Sequence, residues 1–527
     1  MDATEIQNHS QRRRRLDPSP AATPDRSFYG WDVLSGAVGL SLLVEHFRAR
    51  AAYGTCLLLA LILPGVLCLV SRPYRQRMDS WLRGQWARLE TYSTEAGSRR
   101  IPWLGVAVFA VAPSWLLYLS NGQTLGAIDT RPVVPTAISL ISEGNLELGE
   151  YFRPGLRKVS LRASDGEVPL CFQGRPTGIY SSYPAGMVPF AVAVTGLSAL
   201  CDANLDNLEV QAHLQKMTAA MVAAVAVGLF FLVALRLAPP WPAWVATAIL
   251  AVGSGMFSTV GMGLWQHGGI ILWSLLILLI EFRRSSHPSR WDSLIQGFAC
   301  AQMVTCRLSS ITFLAPFGLW VFLRSPRRAV AVVASSGLFY LPWAWVYVRT
   351  YSNPFGPSTG FLSGGLWTLD LARPMAGVLF SPGRGLLIYQ PWILLAFAVA
   401  IPAVRGRIAG MERSPVRSGW SGFCVAFIMA QVVLISAWGI WWGGWCWGSR
   451  LVVDVVPFCA LLCVRPIAAL WGSRTGRVLI VSLGLLALLT HLPAVYFLGC
   501  RWNVSADFPD SAWSWSHPPF LEWHFDR

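Results

Sequence analysis

Asp129 is the residue of this sequence best placed to act as a base. It follows an apolar block that ends near residue 120 and opens a long polar stretch. A carboxylate at such a boundary is partly dehydrated, which raises its pKa and suits general-base chemistry. The alternative is a helix N-cap, because Asp followed by Thr-Arg-Pro is a common helix start.

Further residues between the apolar blocks could bind a substrate. Arginine matches phosphate oxygens by its fork geometry, and aromatic faces suit sugar rings. The candidate binding residues are Tyr183, His267, Arg307, Arg384, Trp442 and Arg450. Together with Asp129 they would fit a lipid phosphate that carries a sugar.

Several of these residues also have purely structural interpretations. A single histidine such as His267 is more often structural than catalytic, and Trp442 lies in a Trp-rich segment typical of an interfacial aromatic belt. Arg450 and Asp454 are one helical turn apart, which predicts an ion pair between them. Arg307 lies between two short apolar blocks, where an arginine needs an anionic partner.

The composition excludes a soluble multidomain enzyme. The chain has 527 residues, of which 54% are hydrophobic and 13% charged, and its mean hydropathy is +0.47. A soluble protein carries about a quarter charged residues. The net charge of +15 comes largely from arginines in short segments between apolar blocks. That placement follows the positive-inside rule and argues against a nucleic-acid partner.

The apolar blocks predict an all-α, polytopic transmembrane helical bundle of about 11–13 spans. Residues 185–200 are predicted as a re-entrant or juxtamembrane helix, because two full crossings there would break the alternation of the arginine-rich loops. Whether 31–45 crosses the membrane is left open. The predicted spans lie near 52–70, 101–120, 217–238, 242–262, 268–281, 294–306, 308–323, 329–348, 385–404, 421–440, 451–470 and 478–498.

The same pattern predicts the domain organisation. Residues 1–27 form a basic, disordered cytoplasmic tail, and 28–100 are membrane-associated helices with an amphipathic cytoplasmic segment. Residues 101–500 form the transmembrane domain, with a large extracytoplasmic loop at 121–182, and 501–527 form an extracytoplasmic tail. The arginine-rich loops place the N-terminus in the cytoplasm.

Several short phrases, taken in order, resemble the GT-C superfamily of polytopic glycosyltransferases, which includes protein O-mannosyltransferases and aminoarabinose transferases. The resemblance covers roughly 101–500. The phrases are Asp129-Thr130, Gly144-Asn145-Leu146-Glu147-Leu148, Tyr183-Pro184-Ala185-Gly186, Leu264-Trp265-Gln266-His267-Gly268, Phe380 to Leu387, and Trp442 to Asp454. Two positions depart from the family pattern: Ser182 stands where relatives commonly have lysine, and Ala185 replaces a proline.

The resemblance implies an inverting transfer of a sugar from a polyprenyl-phosphate donor to an acceptor on the extracytoplasmic face, with Asp129 as the base. The implied partners are the lipid bilayer, the lipid-linked donor and a glycan, lipid or protein acceptor. The implied location is the bacterial inner membrane, with the endoplasmic reticulum left open by the sequence. No cofactor is assigned. A divalent metal would fit relatives that use a second acidic residue, for which Glu143, Glu147 and Glu150 are candidates.

Two other functions remain open from the sequence. A transporter or flippase of a lipid-linked saccharide would require ionisable residues deep within spans, whereas most charges here lie at span ends. The third possibility is an inactive scaffold of the same fold, whose large loop binds a partner.

Overall fold

The computed structural model describes residues 72–94, 100–122, 124, 127–152, 169–201, 203–282, 289–357, 367–410, 419–444, 446–496 and 509–521. The predicted tail 1–27, the segment 31–45 and the span 52–70 lie outside these residues. The chain divides into two units, Met1–Asp79 and Ser80–Arg527. Everything that follows concerns the second unit, apart from the first residues of one helix.

The described residues are mostly helical. The α-helices are α1 Arg72–Thr94, α2 Trp103–Leu119 (with a π-helical turn at Ala107–Val111), α3 Val133–Ser142, α4 Val188–Leu200, α5 Leu208–Ala234, α6 Pro240–Val252, α7 Gly255–Ser258, α8 Gln266–Phe282, α9 Arg290–Cys306, α10 Ile311–Phe322, α11 Pro326–Tyr351, α12 Ala372–Phe380, α13 Leu386–Tyr389, α14 Pro402–Gly410, α15 Trp420–Ser436, α16 Val456–Trp471 and α17 Arg474–Tyr496. The 3₁₀ helices are Gly149–Tyr151, Ala185–Met187, Val260–Met262, Leu308–Ser310, Pro391–Ala400, Arg450–Val455 and Asp510–Trp513. Strands β1 Phe172–Arg175 and β2 Gly178–Ser181 form an antiparallel hairpin in which Phe172 is paired with Ser181.

The length and apolarity of these helices confirm an all-α integral membrane protein. Within the described ranges, four helices are long and apolar enough to cross a bilayer: Leu208–Ala234, Pro326–Tyr351, Arg450–Trp471 and Arg474–Tyr496. Two bent pairs raise that number to six if each pair is one span. Shorter apolar helices, such as Trp103–Leu119 and Trp420–Ser436, accompany them. The core is centred on α5, which packs against α2, α6 and α8.

Two of the predicted spans are broken rather than continuous. The predicted span 242–262 bends by 40° between α6 and α7, where Ser254 is extended and its side chain caps the amide of Met256. The predicted span 385–404 bends by 84° before α14. Ile401 is extended there because it precedes Pro402, and a residue before proline disfavours the helical conformation.

The polar stretch after α2 is more structured than a loop. It contains α3, whose residues are apolar and largely buried and which packs against α4. Glu147 ties the stretch to the hairpin, because its Oε1 accepts hydrogen bonds from the amides of Gly149 (2.8 Å) and Ile179 (2.9 Å). The segment predicted as a re-entrant helix is helical over Ala185–Leu200.

A buried ion pair joins α8, α9 and α11 at the end of α8 that lies far from His267. Arg328 of α11 donates to Glu281 of α8 and to Gln296 of α9, and the Gln296 amide donates to Glu281 Oε1 at 2.8 Å. All of these side chains are buried. The pair therefore connects three helices that otherwise pack through apolar contacts.

Replacing Glu281 with glutamine is expected to destabilise the protein by about 3–5 kcal/mol, because it leaves a buried guanidinium without a counter-charge. Thermal unfolding in detergent micelles measures the effect. The matched control is Asp510→Asn, which breaks the exposed Arg373–Asp510 pair and should cost less than about 1 kcal/mol. Equal losses for the two variants would contradict the structural role of the buried pair.

Candidate functional site

Asp129 forms an ion pair with Arg450. It lies between α2 and α3, and its Oδ2 is 2.8 Å from Arg450 Nη1. The Gln266 side chain donates to the Asp129 carbonyl oxygen at 3.1 Å. The N-cap alternative for Asp129 is wrong, because Pro132 occupies the N-cap position of α3 and the Asp129 carboxylate points to Arg450 instead.

Arg450 is held from three sides. Besides Asp129, its Nη2 donates to the Gly443 carbonyl at 2.5 Å, and its guanidinium lies 4.3 Å from the centre of the Trp265 ring. Gly443 and Gly444 have φ values of 78° and 63°, a conformation that favours glycine and turns this segment sharply. The glycines of the sequence phrase thus allow the Gly443 carbonyl to meet the arginine.

The predicted Arg450–Asp454 ion pair is wrong. These residues belong to the 3₁₀ helix Arg450–Val455. A 3₁₀ helix has three residues per turn, so side chains four apart do not share a face. Asp454 instead contacts His267.

Asp454, His267 and Arg307 form a hydrogen-bonded chain. Asp454 Oδ1 lies 2.8 Å from His267 Nδ1, and His267 Nε2 lies 2.7 Å from Arg307 Nη1. A guanidinium only donates hydrogen bonds, so His267 Nε2 must be the acceptor. The ring proton therefore lies on Nδ1, which donates a hydrogen bond to Asp454. His267 is therefore neutral, and it is fully buried.

The electrostatics around Asp129 differ from the sequence-based expectation. Burial alone would raise the pKa of Asp129, but attraction by Arg450 and Arg307 and a hydrogen bond from Tyr183 outweigh it, so the pKa lies below its ordinary value. Burial and the Asp129 charge together raise the pKa of Tyr183, which keeps its hydroxyl protonated as a donor. Asp129 is thus an ionised carboxylate.

Arg384 and Trp442 support the site from outside this cluster. Arg384 is buried, and its guanidinium donates to the carbonyls of Trp442 (2.7 Å), Gly444 (3.0 Å) and Gly383 (3.1 Å). Trp442 is half-buried and packs edge-on against Trp441. Both residues thus shape the segment that contacts Arg450.

The acidic residues considered for a metal have other surroundings. Glu147 binds backbone amides of the hairpin, Glu143 lies on the exposed side beside Asn145, and Glu150 is buried in the 3₁₀ helix after it. The described part of the chain contains no group of three His, Cys, Asp or Glu side chains arranged to hold a metal ion.

Two glycines, Gly186 of a sequence phrase and Gly269 directly after another, approach the residue that precedes Arg307. A Cβ on Gly186 would lie 2.6 Å from both the amide nitrogen and the Sγ of Cys306, and a Cβ on Gly269 would lie 2.5 Å from the same Sγ. Cys306 directly precedes Arg307. The close approach of three backbone segments at this cysteine therefore sets the position of the arginine.

Gly186→Ala is expected to reduce the activity of this site at least about tenfold, because the methyl group would push Cys306 and Arg307 away. The proposed reaction, described below, provides the assay. Gly196→Ala is the matched control on α4, since a Cβ there would meet nothing within 4 Å. An active G186A protein would show that the Cys306 contact does not position Arg307.

Sequence reasoning missed some residues of the site. Helical spacing predicts that Asp454 pairs with Arg450, and it predicts no role for Trp265, Gln266 or Gly443, although they belong to the short phrases. Their proximity to Asp129 depends on long-range packing of α8 and the 3₁₀ helix Arg450–Val455. The only signal was that they share short phrases with the candidate residues.

No protein-family model matches the chain, and no curated protein matches it. Among solved structures it is similar to the crystal structure of the Archaeoglobus fulgidus oligosaccharyltransferase tethered with an acceptor peptide containing the NVT sequon, with 11% identity and a TM-score of 0.47, over 76% of this chain and 56% of that one. The apo form of that enzyme gives 12% identity and a TM-score of 0.39, over 79% and 55%. The chain thus spans about half the length of these structures, and a likeness of this size does not assign it to a family.

Proposed function

We propose that the protein is a membrane glycosyltransferase of the GT-C type. It transfers a sugar from a polyprenyl-phosphate donor to an acceptor hydroxyl on the extracytoplasmic face. The observation that carries the proposal is the cluster in which Asp129 lies with Arg450, Arg307 and Tyr183. It combines an ionised carboxylate, which can take a proton, with guanidinium groups that can hold a phosphate.

The proposed reaction is a single displacement. The acceptor oxygen forms a bond to the anomeric carbon while the bond from that carbon to the phosphate oxygen breaks, so the configuration inverts. Asp129 takes the acceptor proton, and the polyprenyl phosphate leaves with the bonding electrons. As the phosphate gains one negative charge, Asp129 loses one, so the net charge of the site stays constant during the step.

The two arginines would have different tasks. Arg450 is paired with Asp129, and this pairing makes the carboxylate a weak base. A phosphate that draws Arg450 toward itself would weaken the pair and strengthen the base. Arg307 has no carboxylate within ion-pair distance among the described residues, and it contacts His267 through one nitrogen, so its other N–H groups suit the phosphate.

An apolar groove whose lining begins at Ile311, four residues after Arg307 in the chain, supports a lipid-linked donor. It has a volume of about 600 Å³ and lies between α10 and α15, where Ala315, Leu319, Phe423 and Ala426 line it. One end of the groove is at Thr312, close in the chain to Arg307. A polyprenyl chain in this groove would place its phosphate at the arginine.

Ala315→Trp is expected to fill the groove and raise the KM for a long-chain donor by about tenfold, with less effect on a donor with a short chain. Initial rates with two donors of different chain length measure the difference. Val333→Trp is the control, because Val333 is exposed on α11 and does not line the groove. An equal effect of A315W on both donors would place the chain elsewhere.

Mass spectrometry of surface glycans and lipid-linked sugars, with and without this protein, tests the proposed function. Loss of one glycan with accumulation of its lipid-linked sugar supports transfer and identifies donor and acceptor together. A lipid-linked sugar that changes sides of the membrane without any new glycosidic bond would indicate a transporter instead. Unchanged glycans and lipids would favour an inactive scaffold.

A further inference from the structure

We infer that Asp454 is a positioning residue that orients Arg307 toward the donor phosphate through neutral His267. The inference rests on the proposed function. The hydrogen bonds run in one direction: Arg307 Nη1 donates to His267 Nε2, and His267 Nδ1 donates to Asp454 Oδ1. Each contact therefore determines the next, from the carboxylate to the guanidinium.

The donor-to-acceptor direction of these hydrogen bonds depends on Asp454. An imidazole with its proton on Nε2 would present a donor to the Arg307 guanidinium, and two donors repel each other. The Asp454 carboxylate accepts only, so it keeps the proton on Nδ1 and leaves Nε2 free to accept. The residue that sets the orientation of Arg307 is thus two contacts away from it.

His267 is unsuited to contact substrate itself. It is fully buried, Asp454 is only 2% exposed, and both ring nitrogens already have partners. Arg307, by contrast, is half-buried. The hydrogen bonds thus connect a fully buried pair to a less buried cation.

The hydrogen bond to His267 also restricts the side chain of Arg307, which lies between two helices. Arg307 is extended, with φ of −161° and ψ of 143°, and it separates α9 from the 3₁₀ helix Leu308–Ser310. An arginine side chain has many rotamers, so a hydrogen bond that fixes its tip removes several alternative orientations. Fixing one nitrogen to His267 selects one orientation of a guanidinium that lies close enough to Asp129 to interact with its charge.

Binding of a polyprenyl phosphate to the purified protein in micelles tests the inference. We expect Asp454→Leu to weaken binding about tenfold or more, as partners that orient metal-binding histidines do, and Asp454→Asn to recover part of it because its carbonyl oxygen still accepts from Nδ1. Arg307→Ala should lose at least as much. If Asp454 acts through Arg307, the double variant D454L/R307A should bind polyprenyl phosphate no more weakly than R307A alone.

Glu281→Gln is the control for removing a buried carboxylate. Glu281 lies on α8 with His267, about 21 Å away along the helix axis, and is a buried carboxylate paired with Arg328. The folded fraction of E281Q should bind as the wild type does. A purely structural role of Asp454 would make its effect add to that of R307A, which would overturn the inference, as would D454L binding as tightly as the wild type.

The outcomes separate the two proposals. Transfer by the wild type together with undiminished binding by D454L overturns the role of Asp454 alone. Binding of polyprenyl phosphate that depends on Asp454, in a protein that transfers no sugar, counts against the proposed function alone. A wild-type protein that does not bind the probe contradicts both.

Discussion

Asp129→Asn is expected to lower the rate of sugar transfer about 10²–10⁴-fold, because the amide cannot take the proton of the acceptor hydroxyl. Asparagine keeps the shape of the side chain and can still accept from Arg450. The loss should therefore appear in kcat more than in donor binding. Transfer assays in membranes, normalised to the amount of folded protein, measure it. Unchanged transfer by D129N would remove Asp129 from the mechanism.

A charge-exchange pair separates the chemical role of Asp129 from its role in the ion pair. Breaking a partly buried pair by changing one partner costs stability, so Asp129→Arg alone and Arg450→Asp alone should both destabilise the protein. The double variant D129R/R450D returns opposite charges to the same two positions and should regain part of that stability. It should remain inactive, because the carboxylate no longer lies where the base must be.

The acidity of Asp129 gives a further check on the same prediction. Its pKa lies below the ordinary value of 3.8, mainly because attraction by Arg450 and Arg307 exceeds the effect of burial. A lowered pKa means that the ion pair is complete above about pH 4 and is lost only as the pH falls through that lower value. Loss of kcat/KM, which reports the free enzyme, should therefore begin below pH 4 as Asp129 is protonated, and a midpoint near pH 6 in kcat/KM would assign the base to another group.

The membrane location and the helical class could be predicted from the sequence because they follow from composition. Blocks of about twenty apolar residues are long enough to cross a bilayer as helices, whatever their neighbours are. The interruptions at Ser254 and Ile401 were harder to predict, since apolar residues continue on both sides of each break. Pro402 was the available signal for the second break.

The site residues could be nominated from the sequence, but their partners could not. Asp129, His267, Arg307 and Arg450 come from four distant segments and meet in one cluster. Their pairing depends on details that spacing does not show. The 3₁₀ conformation of 450–455 directs Asp454 away from Arg450 and toward His267, which an α-helical spacing rule cannot anticipate.

The pKa of Asp129 likewise could not be predicted from the sequence, because it depends on those partners. The sequence suggested a dehydrated carboxylate with raised basicity, and burial does act in that direction. The opposing effect comes from Arg450, more than 300 residues away in the chain. Only the tertiary structure brings the two charges together, and their attraction lowers the pKa of Asp129 instead of raising it.

Arg307→Ala is expected to lower kcat about 10²–10³-fold, as the loss of a group that stabilises developing charge does in other enzymes. The phosphate gains negative charge as it leaves, and Arg307 has N–H groups that no carboxylate of the described residues occupies. Because this charge grows during the reaction, the loss should appear in kcat as well as in KM. Rates at saturating donor measure it.

Arg307→Lys and Arg384→Lys identify what the site requires of the arginine. Lysine at 307 keeps a positive charge and can donate to His267, but it lacks the planar fork, so it should recover only part of the rate. Arg384 donates its hydrogen bonds to backbone carbonyls of the segment that contacts Arg450, so R384K should weaken that segment and lower stability. If R307K were fully active, a point charge would suffice at this position, and the planar arrangement of the Arg307 N–H groups would not be needed. If R307A kept its kcat and lost only donor affinity, Arg307 would bind the donor without stabilising the transition state. Arg450 would then be the group that stabilises the charge of the departing phosphate.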